Sequence, residues 1–102
     1  MRFEWDEAKN RRNLAKHGIA FGIARPVFGD PHALSVQDRV VGGEERWQTL
    51  GAVGGVVAVL VAHTHEEEAG EEVIRIISAR KATPLERKAY EQGRKGRHED
   101  QR

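Results

Sequence analysis

Polar and apolar positions change rhythm several times along this 102-residue chain, and each change marks an element. Arg2-Phe3-Glu4-Trp5 alternates polar and aromatic residues, the period of a short half-buried strand. From Asp6 to Gly18 the pattern is that of a helix with clear ends and almost no apolar face, since only Ala8, Leu14 and Ala15 are available for packing. Asp6 suits the N-cap, Glu7 opposes the positive end of the dipole, and Lys16 and His17 oppose the negative end. Gly18 suits the left-handed residue that closes a helix.

Residues 19–28 predict a second, short helix with Ile23, Ala24, Val27 and Phe28 on its buried stripe. Pro26 lacks an N–H and pushes Arg25 away from helical angles, so the helix is predicted to kink or end there. Gly29-Asp30-Pro31-His32 reads as a turn. Residues 34–41 and 44–50 read as strands joined at Gly42-Gly43, with Gly54-Gly55 as the next turn. Residues 56–62 and 73–79 are apolar on both parities, as central strands covered on two faces are. Between them Glu66, Glu67, Glu68, Glu71 and Glu72 read as an acidic loop. Thr83-Pro84-Leu85-Glu86 is a capping box with proline at the first helical position, and it opens a helix that Gly93 should end. Tyr90, four residues past Glu86, is expected to pack back onto the sheet.

The predicted order is β-α-α-β-β-β-β-α, an α+β fold. Short turns make the middle strands an antiparallel meander. The two N-terminal helices and the C-terminal helix are expected to cover one face and leave the other partly open. Residues 1–92 form one predicted domain. Residues 93–102 are charged and polar with no large apolar side chain, and are expected to be a mobile basic tail.

A chain of this length buries somewhat over about 60% of its unfolded surface, enough for one core without staples. The absence of cysteine excludes disulfides, thiolate chemistry and cysteine-ligated zinc. The first residues run straight into a charged helix and the longest apolar run is too short to span a bilayer, so a cytoplasmic protein with no membrane association is expected. Net charge is only +1, but its distribution is uneven. Residues 1–18 carry a net +2, residues 19–79 a net −5 and residues 80–102 a net +4. A basic patch survives such a near-neutral total.

The candidate chemistry is basic. Lys9, Arg12 and Lys16 fall three and four apart and line one helix face, which suggests an anionic partner. His17 and Lys16 suit proton exchange and phosphate pairing, although they also complete a dipole-compensated helix end. Arg46 and Arg80 lie at strand ends, where a ligand can reach; Arg75 lies within the last strand on the opposite parity to Arg80. Trp5 and Trp47 are either core residues or stacking platforms. His63 and His65 share a strand face, but no third ligand presents itself, and no metal or cofactor is expected. The pattern contains no phosphate-binding glycine loop, dinucleotide fingerprint or serine triad.

Four blocks in order resemble one family. They are Phe3-Glu4-Trp5-Asp6-Glu7-x-Lys9-x-x-x-Asn13-Leu14-x-Lys16-His17-Gly18, then Val27-Phe28-x-Asp30-Pro31, then Gly43-Glu44-Glu45-Arg46-Trp47 with Gly51, and Ile74-Arg75-Ile76-Ile77-Ser78-Ala79-Arg80 with Glu86-Arg87. Together they resemble the BrnT family over about residues 2–92. The resemblance implies a RelE-like fold and a metal-independent ribonuclease toxin that inhibits translation and growth. It implies a partner too: a BrnA-like ribbon-helix-helix antitoxin, assembled as a heterotetramer that reaches operator DNA only through the antitoxin. Lys16, His17, Arg46, Arg80 and Trp5 match the family's blocks. Pro26 departs from them, in a segment where the family runs helical, and so does the acidic stretch at residues 66–72, which could repel RNA or contact the antitoxin.

Metal-free RNA cleavage needs an oriented 2′-hydroxyl, a proton acceptor, a proton donor to the leaving 5′-oxygen and charge stabilisation on phosphate. Arg80 and Arg46 are the expected phosphate ligands, because a guanidinium fork meets two oxygens at once. His17 or Lys16 is the expected proton-transfer group, with Lys9, Arg12 and Trp5 contacting RNA. This reading requires the dispersed basic groups to converge on one open pocket. The alternatives are a non-catalytic adaptor that holds RNA or the antitoxin, and a sequence-tolerant RNA binder.

Overall fold

In the computed structural model, which describes residues 1–55 and 57–100, the order is as expected. It runs β1 (Arg2–Glu4), α1 (Glu7–His17), α2 (Phe21–Ala24), a 3₁₀ segment (Arg25–Gly29), β2 (Leu34–Val41), β3 (Glu44–Val53), β4 (Val57–Glu68), β5 (Glu71–Lys81) and α3 (Pro84–Asp100). One five-stranded sheet has the order β1-β5-β4-β3-β2. The meander β2–β5 is antiparallel, and β1 joins β5 in parallel, which makes the sheet mixed.

The local signals act as their chemistry predicts. Asp6 accepts from the Lys9 N–H at 3.1 Å, and Gly18 closes α1 at φ +72°. Thr83 and Glu86 close the capping box in both directions, at 3.2 and 2.9 Å. Pro26 turns the α-helix into the tighter 3₁₀ form, which continues to Gly29.

The core lies between one sheet face and the N-terminal helices. Phe21, Ala24 and Val27 pack there on Val59, Val61, Ile74, Ile76 and Ala79. Two expectations about packing are corrected. Ile23 faces solvent and Phe21 takes its place, because the switch to 3₁₀ geometry at Arg25 changes which side chains point inward. In α1, Leu14 and Ala15 are exposed, and the buried residue is Asn13.

Asn13 anchors α1 by hydrogen bonds in place of an apolar stripe. Its Nδ2 donates to the carbonyls of Ile19 and Ala79, both at 2.8 Å, and its Oδ1 accepts from the Ala79 N–H at 3.1 Å. Asn10 Oδ1 accepts from the Phe21 N–H at 2.8 Å and ties α1 to α2.

Helix α3 lies on the opposite face from α1 and α2, contrary to the expected single covered face. Residues paired in register point to the same side, and Leu34, Leu50, Leu60 and Arg80 form one such row across β2–β5. The neighbouring row, Ser35, Thr49, Val61 and Ala79, therefore faces the N-terminal helices. Arg80 binds Glu86 at the start of α3, and Gly93 stands within contact of Leu34. Helix α3 thus crosses above the leucine row from β5 to β2, with Tyr90 buried along it. Its backbone continues past Gly93, the predicted stop, to Asp100. A Cβ at position 93 would lie 3.7 Å from Leu34, an ordinary contact, so the helix does not need a glycine to pass it. The rest of the expected tail, Gln101 and Arg102, lies outside the described residues.

The acidic segment is not a loop. Glu66, Glu67 and Glu68 end β4, and Glu71 and Glu72 begin β5. A two-residue turn joins them at Ala69-Gly70, with φ of 51° and 81°. Positive φ at both positions is the hairpin geometry that matches strand twist. Facing acids in this ribbon oppose pairing, and Arg2 offsets them by binding Glu68 at 2.7 Å.

Candidate nucleic-acid interface

The sheet face that carries α3 is only partly covered by it, and a bulge decides what the uncovered part presents. Between Ala62 and His63 the register of β4 with β5 shifts by one, and Ile77 is left without a partner. That extra residue reverses the parity of β5. Arg75, paired with Thr64, consequently stands on the same face as Ser78 and Arg80, whereas simple alternation puts it on the other. Arg46 shares this face too, since Trp47, Thr49 and Gly51 alternate with it toward the N-terminal helices.

The uncovered part is a trough with ordered contents. Val36, Gln48, Ala62 and Ser78 form the row next to the leucines. Beyond it come Arg39 and Arg46, paired across β2 and β3, and Thr64 and Arg75, paired across β4 and β5. Along the β5 edge, past the end of β1, the stripe of α1 meets the strand. Lys9, Arg12, Lys16 and His17 line a groove of about 330 Å³ with Asn13, Ile77 and Ser78. The basic helix face and the sheet arginines therefore border one continuous surface, joined at Ser78.

Arg46 and Arg80 share the face but not a single pocket. They stand two rows and two strands apart, roughly 16 Å between Cα atoms at ordinary sheet spacings. Each is held by its own carboxylate. Glu86 grips Arg80 in a two-pronged pair, at 2.7 and 3.0 Å, which raises the arginine pKa further and holds the Glu86 carboxyl at about 2. Glu44 accepts from Arg75 and, at 3.5 Å, lies beside Arg46. The Arg46 Nε is buried and has no acceptor among the described residues.

Trp5 belongs to the margin of the core. Its ring meets Phe21 edge-on at 6.2 Å and its Nε1 donates to Glu7 at 3.3 Å. His63 and His65 do line one pocket, with Phe28, Trp47 and Thr49 among its walls. His63 is structural, because both ring nitrogens are engaged, with Thr49 Oγ1 at 2.7 Å and the Thr64 carbonyl at 3.0 Å. No group of three or more potential ligands that could hold a metal occurs among the described residues. Among these residues, no helix is long and apolar enough to cross a membrane.

Residues 5–86 match the family described as "Ribonuclease toxin, BrnT, of type II toxin-antitoxin system". The chain belongs to the BrnT family. That family consists of ribonuclease toxins, and a toxin of a type II system has an antitoxin as its partner. Among solved structures, the chain is similar to the crystal structure of the ribonuclease toxin BrnT of Brucella abortus. The TM-score is 0.56 at 25% identity, with 81% of this chain and 97% of that one covered. No curated protein matches the chain. The basic stripe and the two strand-end arginines are visible in the sequence pattern. The place of Arg75 on this face is not, because a bulge leaves no local composition signal.

Proposed function

We propose that the trough binds single-stranded RNA and that this BrnT-family chain cuts it without a metal, through the substrate's own 2′-hydroxyl. The 2′-oxygen forms a bond to phosphorus and the bond from phosphorus to the 5′-oxygen breaks, leaving a 2′,3′-cyclic phosphate. A protein base takes the 2′-proton and a protein acid returns one to the 5′-oxygen. His17 or Lys16, in the groove at Ser78, transfers protons. Arg80 stabilises the charge on the scissile phosphate, exchanging Glu86 for it. Arg46 meets another phosphate further along the same strand, and Lys9 and Arg12 guide the backbone. Trp5 supports the fold beside them.

The observation that carries this reading is the bulge at Ile77, which brings Arg75 onto the face that already holds Arg80 and Arg46 and that the α1 stripe borders. The partner is a BrnA-like ribbon-helix-helix antitoxin in the cytoplasm, assembled with the toxin as a heterotetramer, and operator DNA is reached through the antitoxin alone.

The test is purified protein incubated with RNA in EDTA. Products with cyclic phosphate ends, together with loss of growth arrest in Arg80→Ala while antitoxin binding persists, support the reading. Intact RNA at saturating protein, or a fully toxic Arg80→Ala variant, sinks it.

A further inference from the structure

We infer that Arg46 and Arg75 form a second phosphate subsite beside the cleavage site, which Glu44 occupies as an internal anion in the resting protein. The inference rests on the RNA reading above and adds to it a residue, Arg75, and a competitor, Glu44.

The geometry begins with register. Arg75 pairs with Thr64, and Trp47 pairs with His63, so Arg46 stands level with Thr64 on the other side of β4. The two arginines flank the buried Thr64, about 10 Å apart at the backbone by two strand spacings. Their guanidinium groups nevertheless converge, since the NH2 atom of each points to the same oxygen, Glu44 Oε1. Glu44 reaches that position from two residues before Arg46 on the same strand face.

Charge and hydrogen bonding both leave this cluster incomplete. Among the described residues two cations face one carboxylate, an excess of one positive charge in the cluster. A single carboxylate oxygen serves two forks that each fit two oxygens. Arg46 Nε is buried without an acceptor among the described residues. A phosphodiester supplies what is missing: two non-bridging oxygens, one negative charge and tetrahedral spread enough to meet both forks. The neighbouring row holds Ser78, and through it the strand leads toward the groove of α1. An RNA strand lying along the trough therefore presents one phosphate to Arg80 and another, further along the strand, to the Arg46–Arg75 pair. Glu44 must swing aside for the second of these. In the absence of RNA it keeps two neighbouring guanidiniums from repelling each other.

The experiment measures binding of a short 2′-O-methyl oligoribonucleotide, which offers phosphates but no nucleophile, to the full chain over a salt series. Arg75→Gln should weaken binding about tenfold at low salt, the loss of one charge-assisted contact. It should also reduce the slope of log affinity against log salt by about 0.7. Glu44→Gln should tighten binding severalfold by removing the competitor at nearly unchanged shape. Arg75 is half-buried at the sheet surface and Gln keeps its length and a donor, so the fold should persist, which the urea midpoint of the variant checks. If wild-type protein cuts RNA but Arg75→Gln binds the oligonucleotide with unchanged affinity and slope, the subsite is wrong and the cleavage reading stands. If Arg75→Gln loses affinity for the antitoxin and keeps it for the oligonucleotide, the pair is a protein-docking surface and the subsite is wrong again. If wild-type protein neither binds nor cuts, the RNA reading fails and takes the subsite with it.

Discussion

The side-chain amide of Asn13 satisfies both backbone groups of Ala79, accepting from its N–H at 3.1 Å and donating to its carbonyl at 2.8 Å. At this point β5 has run past the end of β1, whose pairing stops at Arg75. Asn13 does for this stretch of β5 what a longer β1 would do, and so fastens a helix with almost no apolar face to a strand edge. The α1 stripe sits against Ser78 because of this contact.

Asn13→Leu leaves the Ala79 N–H and two carbonyls buried without partners. Each such group costs about 1–3 kcal/mol, and water reaching the strand edge recovers part of it, so a loss of about 2–4 kcal/mol is expected. Asn13→Asp should be no better, since a carboxylate accepts from Ala79 but donates to neither carbonyl. Urea unfolding of the two variants beside wild type checks this. A change within the error of the method would show that α1 is held by something else.

What was legible in the sequence was local. Asp6, Gly18 and the Thr83–Glu86 box announce helix ends because each acts on backbone groups within four residues of itself. The basic stripe was legible because helical spacing alone creates it. Three features depend on partners far away in the chain and were not. The role of Asn13 requires Ala79, and the side chosen by α3 depends on the leucine row. The bulge at Ile77 is a choice of register between two apolar strands, both of which read as covered on two faces. The hairpin at Ala69-Gly70 was hidden for another reason, since alanine is an uncommon residue at positive φ.

Gly51 is required by contact, because its φ is not positive. A Cβ there would lie 2.9 Å from Val27 Cγ1, 3.1 Å from the Val27 carbonyl oxygen and 3.3 Å from Asp30 Oδ2. Asp30 at this place accepts from the Ala52 N–H at 2.8 Å and from the Tyr90 hydroxyl at 2.6 Å, so it has little room to retreat. Gly51→Ala should therefore cost about 1–3 kcal/mol through overpacking. Calorimetric melting of Gly51→Ala, alone and with Val27→Ala, checks the cause. The double variant should regain only part of the loss, since the carbonyl of residue 27 remains in the way.

His63 makes stability fall on mild acidification. A carbonyl can only accept, so the bond to Thr64 places the proton on Nδ1, and Nε2 accepts from the Thr49 hydroxyl. The Thr49 oxygen in turn accepts from Ser35 at 2.8 Å. Burial, chiefly, holds the imidazole below its ordinary value of 6.5. The unfolded chain then takes up a proton at a pH where the folded one does not. Stability is complete above that ordinary value and declines as pH drops through it. His63→Gln keeps a donor and an acceptor without a titrating ring, and should flatten this part of the profile in urea melts above and below pH 6.5. A decline of equal steepness in the variant would assign it to another group.

Arg80 and Glu86 allow the structural and chemical roles of the same contact to be separated. The guanidinium, first, and the Thr83 N–H hold the Glu86 carboxyl at about 2, against an ordinary 4.5. A depressed carboxyl contributes its stability above the unfolded value, and the contribution is lost as pH falls from 4.5 toward 2. Solvent reaches both partners, so the effect is modest, but its direction is fixed. Arg80→Ala and Glu86→Gln should both flatten that acid limb, because each removes the pair. Their effects on RNA should differ. Arg80→Ala loses the group that meets the scissile phosphate and should slow cleavage on the order of 100- to 1,000-fold. Glu86→Gln weakens only the cap of α3 and releases the arginine, so cleavage should persist. Urea melts across the acid range, read beside cleavage of labelled RNA by the same preparations, give both comparisons. Equal loss of cleavage in the two variants would mean that Arg80 must be held by Glu86 to act, and that it does not exchange its partner for phosphate.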